Sequence, residues 1–442
     1  MHGARPRREH LSSAIAAAFL AGVWNEPSLI RRATIATALP RRRLRALAIA
    51  VLAAYREPPA DRPRELQRFI ALQLELDHDT PPLTVQRWFA AELAPTKQRW
   101  STPELADCGK LAELLELTIE QLVWFADARG LERAVDTEPL RHYRYVTRPR
   151  PGRSPRVIEQ PKPRLKRIQR LLLHELLDAI PPHPAAHGFT AGRSVRTHAR
   201  RHTGAYVVLR LDLEDFFASV AAGRVYGIFR TAGYPEPVAH TLTALTTNVV
   251  PATFWRSLPR PPAPDAIIVH HRLGRRLATP HLPQGAPTSP ALANLAAFRL
   301  DRRLAGLAKS FEAEYTRYAD DLTFSGASRL PSAARTIRQA VTEIASEEGF
   351  TVNLAKSTLA TRAGRQRVCG VVVNERLNPT RDEYDALKAT IHNSVSRGPA
   401  AQNRAGVADF RAHLLGRIAW VNSLNPERGA KLRREFDQIV WE

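Results

Sequence analysis

Cysteine is nearly absent: Cys108 and Cys369 are the only two in 442 residues, and they form no CxxC. A multi-disulfide framework and a cysteine-rich zinc site are therefore excluded, and a reducing, cytoplasmic setting is expected. Acidic charge is scarce as well. Forty-three Asp and Glu face 65 Lys and Arg, a formal net charge of +22 at pH 7. A balance this basic points to a polyanionic partner, either nucleic acid or an anionic membrane surface. Long hydrophobic runs are also lacking. The apolar part of SSAIAAAFLAGVW is too short to cross a bilayer and leads into RRATIATALPRRRLRALAIAVLAAY, which reads as further amphipathic helix. Residues 11–24 are accordingly read as a helix that packs internally, with a signal peptide as the alternative reading, and no membrane partner is expected. Neither an internal repeat nor a low-complexity tail is present.

What remains is ordinary globular composition, with 44% hydrophobic and 24% charged residues, in a chain long enough for two or three domains. Residues 1–98 are rich in Ala, Leu and Arg, with Ile15, Phe19, Leu20 and then Leu44, Leu47, Ala48, Val51 at helical spacing. Breaks fall at Pro27, Pro40, Pro58–Pro59 and Pro81–Pro82, so this segment is predicted to be an all-helical extension, with no recognisable chemistry. After it, Ser101 or Thr102 is a plausible N-cap, Pro103 suits a first helical position, and a second helix is predicted to start near Thr118. Residues 141–170 mix basic residues with Pro, Gly and Tyr, the composition of a strand–loop–strand leading into a helix. Residues 256–280 read as a loop with a hairpin inside it. The last 60 residues return to helix, with Leu414, Ile418 and Val421 on one face.

Three stretches carry chemistry. AYVVLRLDLEDFF (205–217) alternates as a strand, placing Val207, Leu209, Leu211 and Leu213 on one face and Val208, Arg210 and Asp212 on the other. A carboxylate at the end of a buried strand is costly unless it meets a metal or a counter-charge; a lone Asp there also serves as a helix cap. RYADDLTFSG (317–326) lies in two short strands joined by Ala319-Asp320-Asp321. Acids are common in solvated turns, but Tyr318, Leu322 and Phe324 read as buried around this one. Three acids from such strands can hold a pair of divalent cations that activate an attacking oxygen and stabilise a leaving phosphate. Oxygen ligands and phosphate substrates favour Mg²⁺, with Mn²⁺ as a substitute. Between them lies HLPQGAPTSP (281–290). Gly285 there permits close backbone approach, and Ser289-Pro290 suits an N-cap and first turn where a base or phosphate can be met.

In this order the stretches are specific. From about residue 100 to 442 the chain resembles a reverse transcriptase, and most closely a bacterial retron reverse transcriptase, through LDLEDFFASV, LPQGAPTSP, YADD and GFTVNLAKST. The resemblance implies an α+β right-hand polymerase, with fingers and palm over 99–378 and a helical thumb over 379–442. It assigns metal binding and catalysis to Asp212, Asp320 and Asp321. Phe217 takes the place of an aromatic gate against a 2′-hydroxyl. Gln284 and Gly285 take the place of contacts to the nascent pair, and Lys356 and Arg156 of contacts to the triphosphate. Lys162, Lys166, Arg167 and Arg170 continue a basic track toward nucleic acid, joined by Arg417 in the thumb. RVCGVVVNERLN (367–378) matches the hairpin that holds the primer.

AGRSVRTHARRH (191–202) favours the retron class, although the family's NAxxH reads HAxxH and its VTG reads Val368-Cys369-Gly370. His198 and His202 are spaced like a zinc pair but lack further ligands nearby, so contact with RNA or local packing is expected of them. Retron membership implies dNTPs as substrates, a cognate non-coding RNA as template and primer, and a branched RNA–DNA product. It also implies an anti-phage role beside an effector protein. Intron-type and diversity-generating reverse transcriptases, or an inactive RNA-binding relative, are the competing readings.

Overall fold

The computed structural model describes residues 4–74, 85–89, 91, 98–127, 130–132, 138–328 and 330–441. The expected break at Pro81–Pro82 lies outside them. The chain opens with four helices, α1 (Ala4–Leu20), α2 (Glu26–Ala36), α3 (Arg41–Ala54) and α4 (Pro63–Gln73). Asn25 caps α2 by accepting from the Ser28 amide, and Pro63 occupies the first turn of α4. Ile15, Phe19, Leu29, Leu44, Leu47, Val51, Leu66 and Ile70 close into one buried apolar core. Each such side chain contributes about 1.5–3 kcal/mol. The buried Arg32 guanidinium donates to the carbonyls of Ala18, Phe19 and Val23, satisfying groups that the end of α1 leaves open.

Two short helices follow, α5 (Cys108–Leu114) and α6 (Ile119–Ala126). Thr118 caps α6 in a capping box with Gln121, as expected. The cap expected at Ser101 or Thr102 is not formed. Residues 102–106 are non-helical, Thr102 is buried, and Asp107 provides the acceptor, taking the Lys110 amide at 2.9 Å. Next come β1 (Tyr143–Arg150) and β2 (Arg153–Pro161), an antiparallel hairpin that runs into α7 (Pro163–Leu172), in line with the sequence.

The chain continues through α8 (Val195–Arg200), β3 (Val207–Leu213), α9 (Ala222–Thr231), α10 (Glu236–Thr246), α11 (Ala252–Arg256) and α12 (Pro264–Leu277). The last corrects the hairpin expected within 256–280. Behind the proline-rich preface, His270, Leu273 and Leu277 are buried at helical spacing, Asp265 lies in the first turn, and Arg275 and Arg276 lie in the last. The remaining elements are α13 (Ser289–Ala296), α14 (Phe298–Ser310), β4 (Glu314–Tyr318), β5 (Asp321–Gly326), α15 (Leu330–Glu347), β6 (Val352–Thr361), β7 (Arg367–Val368), β8 (Val371–Val372), α16 (Arg381–Arg397), α17 (Phe410–Leu424) and α18 (Pro426–Phe436).

These elements form two compact units, one from residues 1–180 and 221–289, the other from 181–220 and 290–442. Within the first, the N-terminal helices are bonded to later ones: Arg230 donates to Asp61 at 2.6 Å, and Glu236 accepts the Arg64 amide at 2.5 Å. The second is built on an antiparallel sheet in the order β4-β5-β3-β6. One sheet face, with Leu209, Leu211, Leu322, Phe324 and Tyr315, is apolar and buried. The other carries Arg210, Asp212, Asp321, Thr323 and Thr316. The closing helices pack through Leu387, Ile391, Leu414, Ile418, Val421, Leu432 and Phe436, as the spacing in the last 60 residues predicted.

Candidate active site

Strand alternation and register bring the acids together. Asp212, on the polar face of β3, pairs in register with Asp321, the first residue of β5. The connection from β4 to β5 is only Ala319-Asp320, tighter than expected by one residue, because Asp321 already pairs with Tyr318. Ala319 sits at φ +55°, left-handed backbone that a non-glycine residue rarely adopts. Tyr318 is half-buried instead of buried, while Leu322 and Phe324 are fully enclosed as expected.

Cations meet two of the three carboxylates. Lys356 on β6 donates from Nζ to both oxygens of Asp212, at 3.0 and 2.8 Å. Arg210 donates to Asp321 Oδ1 at 2.9 Å, and the Cys369 thiol donates to its Oδ2 at 3.6 Å. Burial, followed by the charge of Asp321, pushes that thiol up to about 12, so it stays protonated. Asp320 is different. Its carboxyl is raised above the usual range by burial and then by Asp212, with Asp321 adding to the effect.

Among the described residues, no group of three His, Cys, Asp or Glu stands in ion-holding geometry. Asp212 is engaged by Lys356, and Asp321 by Arg210. The donor set nonetheless fits a hard divalent cation. It offers carboxylate oxygens only, and the raised Asp320 is the group whose charged form a cation would favour.

The two neighbouring phenylalanines separate cleanly. Phe216 is core, its ring stacked on Phe350 at 5.7 Å. Phe217 is half-buried and faces the exposed Phe189 ring, with centroids 6.3 Å apart.

In the other unit, Gln284 and Gly285 are locked to β2. The Glu159 amide donates to Gln284 O at 2.9 Å, and Gly285 at φ +136° lies so close that a Cβ would come within 2.7 Å of Glu159 O. The Glu159 carboxylate in turn is buried between His281 at 3.0 Å and Asn248 at 2.7 Å. Burial lowers the His281 pKa, but the adjacent Glu159 charge and hydrogen bond outweigh it and leave the imidazole raised. Ser289 does not cap the following helix: it is that helix's first residue, and its hydroxyl donates back to Pro283 O at 2.7 Å. Arg156 is exposed on β2. Lys166, Arg167 and Arg170 are exposed on α7, with Arg167 paired to Glu116. Lys162 is turned to its own chain, donating to the carbonyls of Glu138 and Pro139. Arg417 is half-buried on α17.

His198 and His202 correct the expectation of nucleic-acid contact. Both are 0% exposed and can touch no partner. His198 bonds Thr316 at 2.7 Å, and His202 bridges Thr316 at 2.7 Å and Ser325 at 2.8 Å, so α8 is fastened to the polar face of β4 and β5. Sequence reasoning also missed Glu159, His281, Asn294, Asp301 and Arg317. They are charged or polar residues that normally signal surface, and only their partners, distant in sequence, bury them.

Residues 148–388, more than half of the chain, match the family described as reverse transcriptase (RNA-dependent DNA polymerase). The chain is 43% identical to the retron Mx65 reverse transcriptase of Myxococcus xanthus over 297 residues, 67% of this chain and 65% of that protein. It is 38% identical to the retron Mx162 reverse transcriptase of the same organism, covering 76% of this chain and 67% of that protein. Identity to the retron Ec86 reverse transcriptase of Escherichia coli is 31%, over 65% of this chain and 77% of that one.

Proposed function

The chain belongs to the reverse transcriptases, in their bacterial retron-type branch, and on that premise we propose that it copies a cognate non-coding RNA into DNA joined to that RNA as a branched product. The observation that supports this most directly is the register of Asp212 against Asp321, with the raised Asp320 in the turn between β4 and β5. In this reading Asp212, Asp320 and Asp321 hold two Mg²⁺ ions, or Mn²⁺ in their place. When bound, the ions supply activation of the attacking hydroxyl and neutralisation of the departing pyrophosphate.

The chain's own residues do the rest. Lys356 neutralises Asp212 in the ligand-free protein and is placed to exchange that carboxylate for a nucleotide phosphate. Phe217 presents a half-exposed ring against a 2′-hydroxyl. Gln284 and Gly285, held by Glu159, take the place of the contacts to the nascent pair, and Arg156 offers a guanidinium to the triphosphate. The β7–β8 hairpin holds the primer end. Fingers, palm and thumb follow the boundaries 99–378 for the first two and 379–442 for the last. The DNA product and an effector protein would place the enzyme in anti-phage defence.

Substituting Asp320→Asn together with Asp321→Asn should lower primer extension on an RNA template by at least a thousandfold while leaving RNA binding within about threefold. Unchanged extension would refute the metal-site assignment. Sequencing the nucleic acid that co-purifies with the protein tests the retron reading. A branched RNA–DNA species is expected, and generic cellular RNA alone would reject it.

A further inference from the structure

We propose that the buried Asp301–Arg317 pair is a positioning device that holds the Ala319-Asp320 turn in the geometry metal binding needs; the proposal rests on the reading of Asp320 and Asp321 as metal-holding groups. Arg317 and Asp301 are both 0% exposed. The Arg317 guanidinium donates from Nε to Asp301 Oδ1 at 2.8 Å and from NH2 to Oδ2 at 2.7 Å. From NH1 it donates to Asn294 Oδ1 and to the carbonyl of Ala319, both at 3.0 Å. Tyr315 donates its hydroxyl to the same Asp301 at 2.9 Å, and the Phe216 ring covers the guanidinium at 5.4 Å.

A salt bridge this deep is a poor way to stabilise a fold. Removing both charges from water costs much of what their attraction returns, and well-packed apolar residues of similar size do as well or better. What apolar residues cannot do is reach the turn. The Ala319 carbonyl belongs to the peptide that leads directly into Asp320, and the Arg317 fork holds it on one side. On the other side, Asn294 donates to Gly188 O at 2.8 Å. Gly188 packs so tightly that a Cβ would lie 2.6 Å from the Ala319 amide. A left-handed Ala319 at φ +55° persists only where its surroundings over-determine it, and this clamp is what over-determines it. The direction of the Asp320 carboxyl follows from that backbone.

The experiment uses the full chain and three variants. The double variant Arg317→Met/Asp301→Leu replaces the pair with apolar volume. Asn294→Ala leaves the pair intact and removes one wall of the clamp. Asp320→Asn is the control. Each is assayed for melting temperature, for kcat and dNTP KM on a primed RNA template, and for Mn²⁺ binding to the nucleic-acid-free protein by electron paramagnetic resonance. The double variant is expected to melt at or above the wild-type temperature, lose at least thirtyfold in kcat with KM changed less than threefold, and bind Mn²⁺ at least tenfold more weakly. Asn294→Ala is expected to lose three- to tenfold in kcat while still unfolding in one cooperative transition, its melting temperature lowered by the lost hydrogen bonds to Gly188 and Arg317. Wild-type kcat together with wild-type Mn²⁺ binding in either folded variant overturns the proposal. Full activity in Asp320→Asn instead overturns the reading of the site on which it rests.

Discussion

His198 and His202 show how far one side chain can carry a pH dependence. Burial pushes His198 down to about 2, assisted by the neighbouring His202, and pushes His202 down to about 3. In the unfolded chain both titrate near 6.5. Below that value the unfolded state takes up protons that the folded state refuses, so the stability these imidazoles contribute is present above pH 6.5 and is lost as pH falls toward their folded values. The loss is about 1.4 kcal/mol per pH unit for each histidine. Denaturant unfolding between pH 7 and pH 5 should therefore show a slope shallower by about that amount in His202→Asn than in the wild type; parallel curves would contradict the assignment. At this scale the sequence was informative about the acids, whose strand and turn settings are local patterns. The spacing of HAxxH was visible too, but not its destination, because Thr316 and Ser325 lie more than a hundred residues away. Arg317 was hidden by its neighbours' chemistry: an Arg beside an acidic turn reads as surface until Asp301 is seen beneath it.

Elements were legible where period and punctuation agreed. The β1–β2 hairpin, α7 and the alternating β3 follow directly from their patterns. The helix α12 did not, because SLPRPPAPD announces a loop and the apolar positions of IIVHHRLGRRL are diluted by five basic side chains (two of them His). The loop at Gly285 was legible as a close approach, though not what it approaches. Its partner is the Glu159 backbone. Gly285→Ala should strain that contact at positive φ and destabilise the protein by roughly 1–3 kcal/mol. Extension should fall at least tenfold, while Gly223→Ala, on a helix face with open space around it, should leave extension within about twofold. Equal behaviour of the two variants in melting and extension assays would show that the contact is not needed.

For the whole molecule, the excess of +22 bears on where phosphates would be met. Lys166 and Arg170 stand exposed one helical turn apart on α7, without carboxylate partners among the described residues. If they meet phosphates, Lys166→Gln/Arg170→Gln should flatten the dependence of log K on log salt for single-stranded RNA by about 1.4, from about 0.7 per phosphate contact. A slope unchanged in filter binding would assign both residues to the solvated surface. No helix among the described residues is long and apolar enough to cross a membrane.

The interleaving of the two units bears on how the protein is made. β3 lies in the 181–220 segment, between the two stretches that build the first unit, yet both of its sheet neighbours, β5 and β6, come later in the chain. During synthesis the first unit can close once residue 289 has emerged, whereas VVLRLDL must wait, apolar on one face and unpaired on both edges. A ribosome stalled between these points would expose the strand that carries Asp212 as a template for aggregation, and the sheet that gathers Asp212, Asp320 and Asp321 would be among the last parts of the newborn chain to take shape.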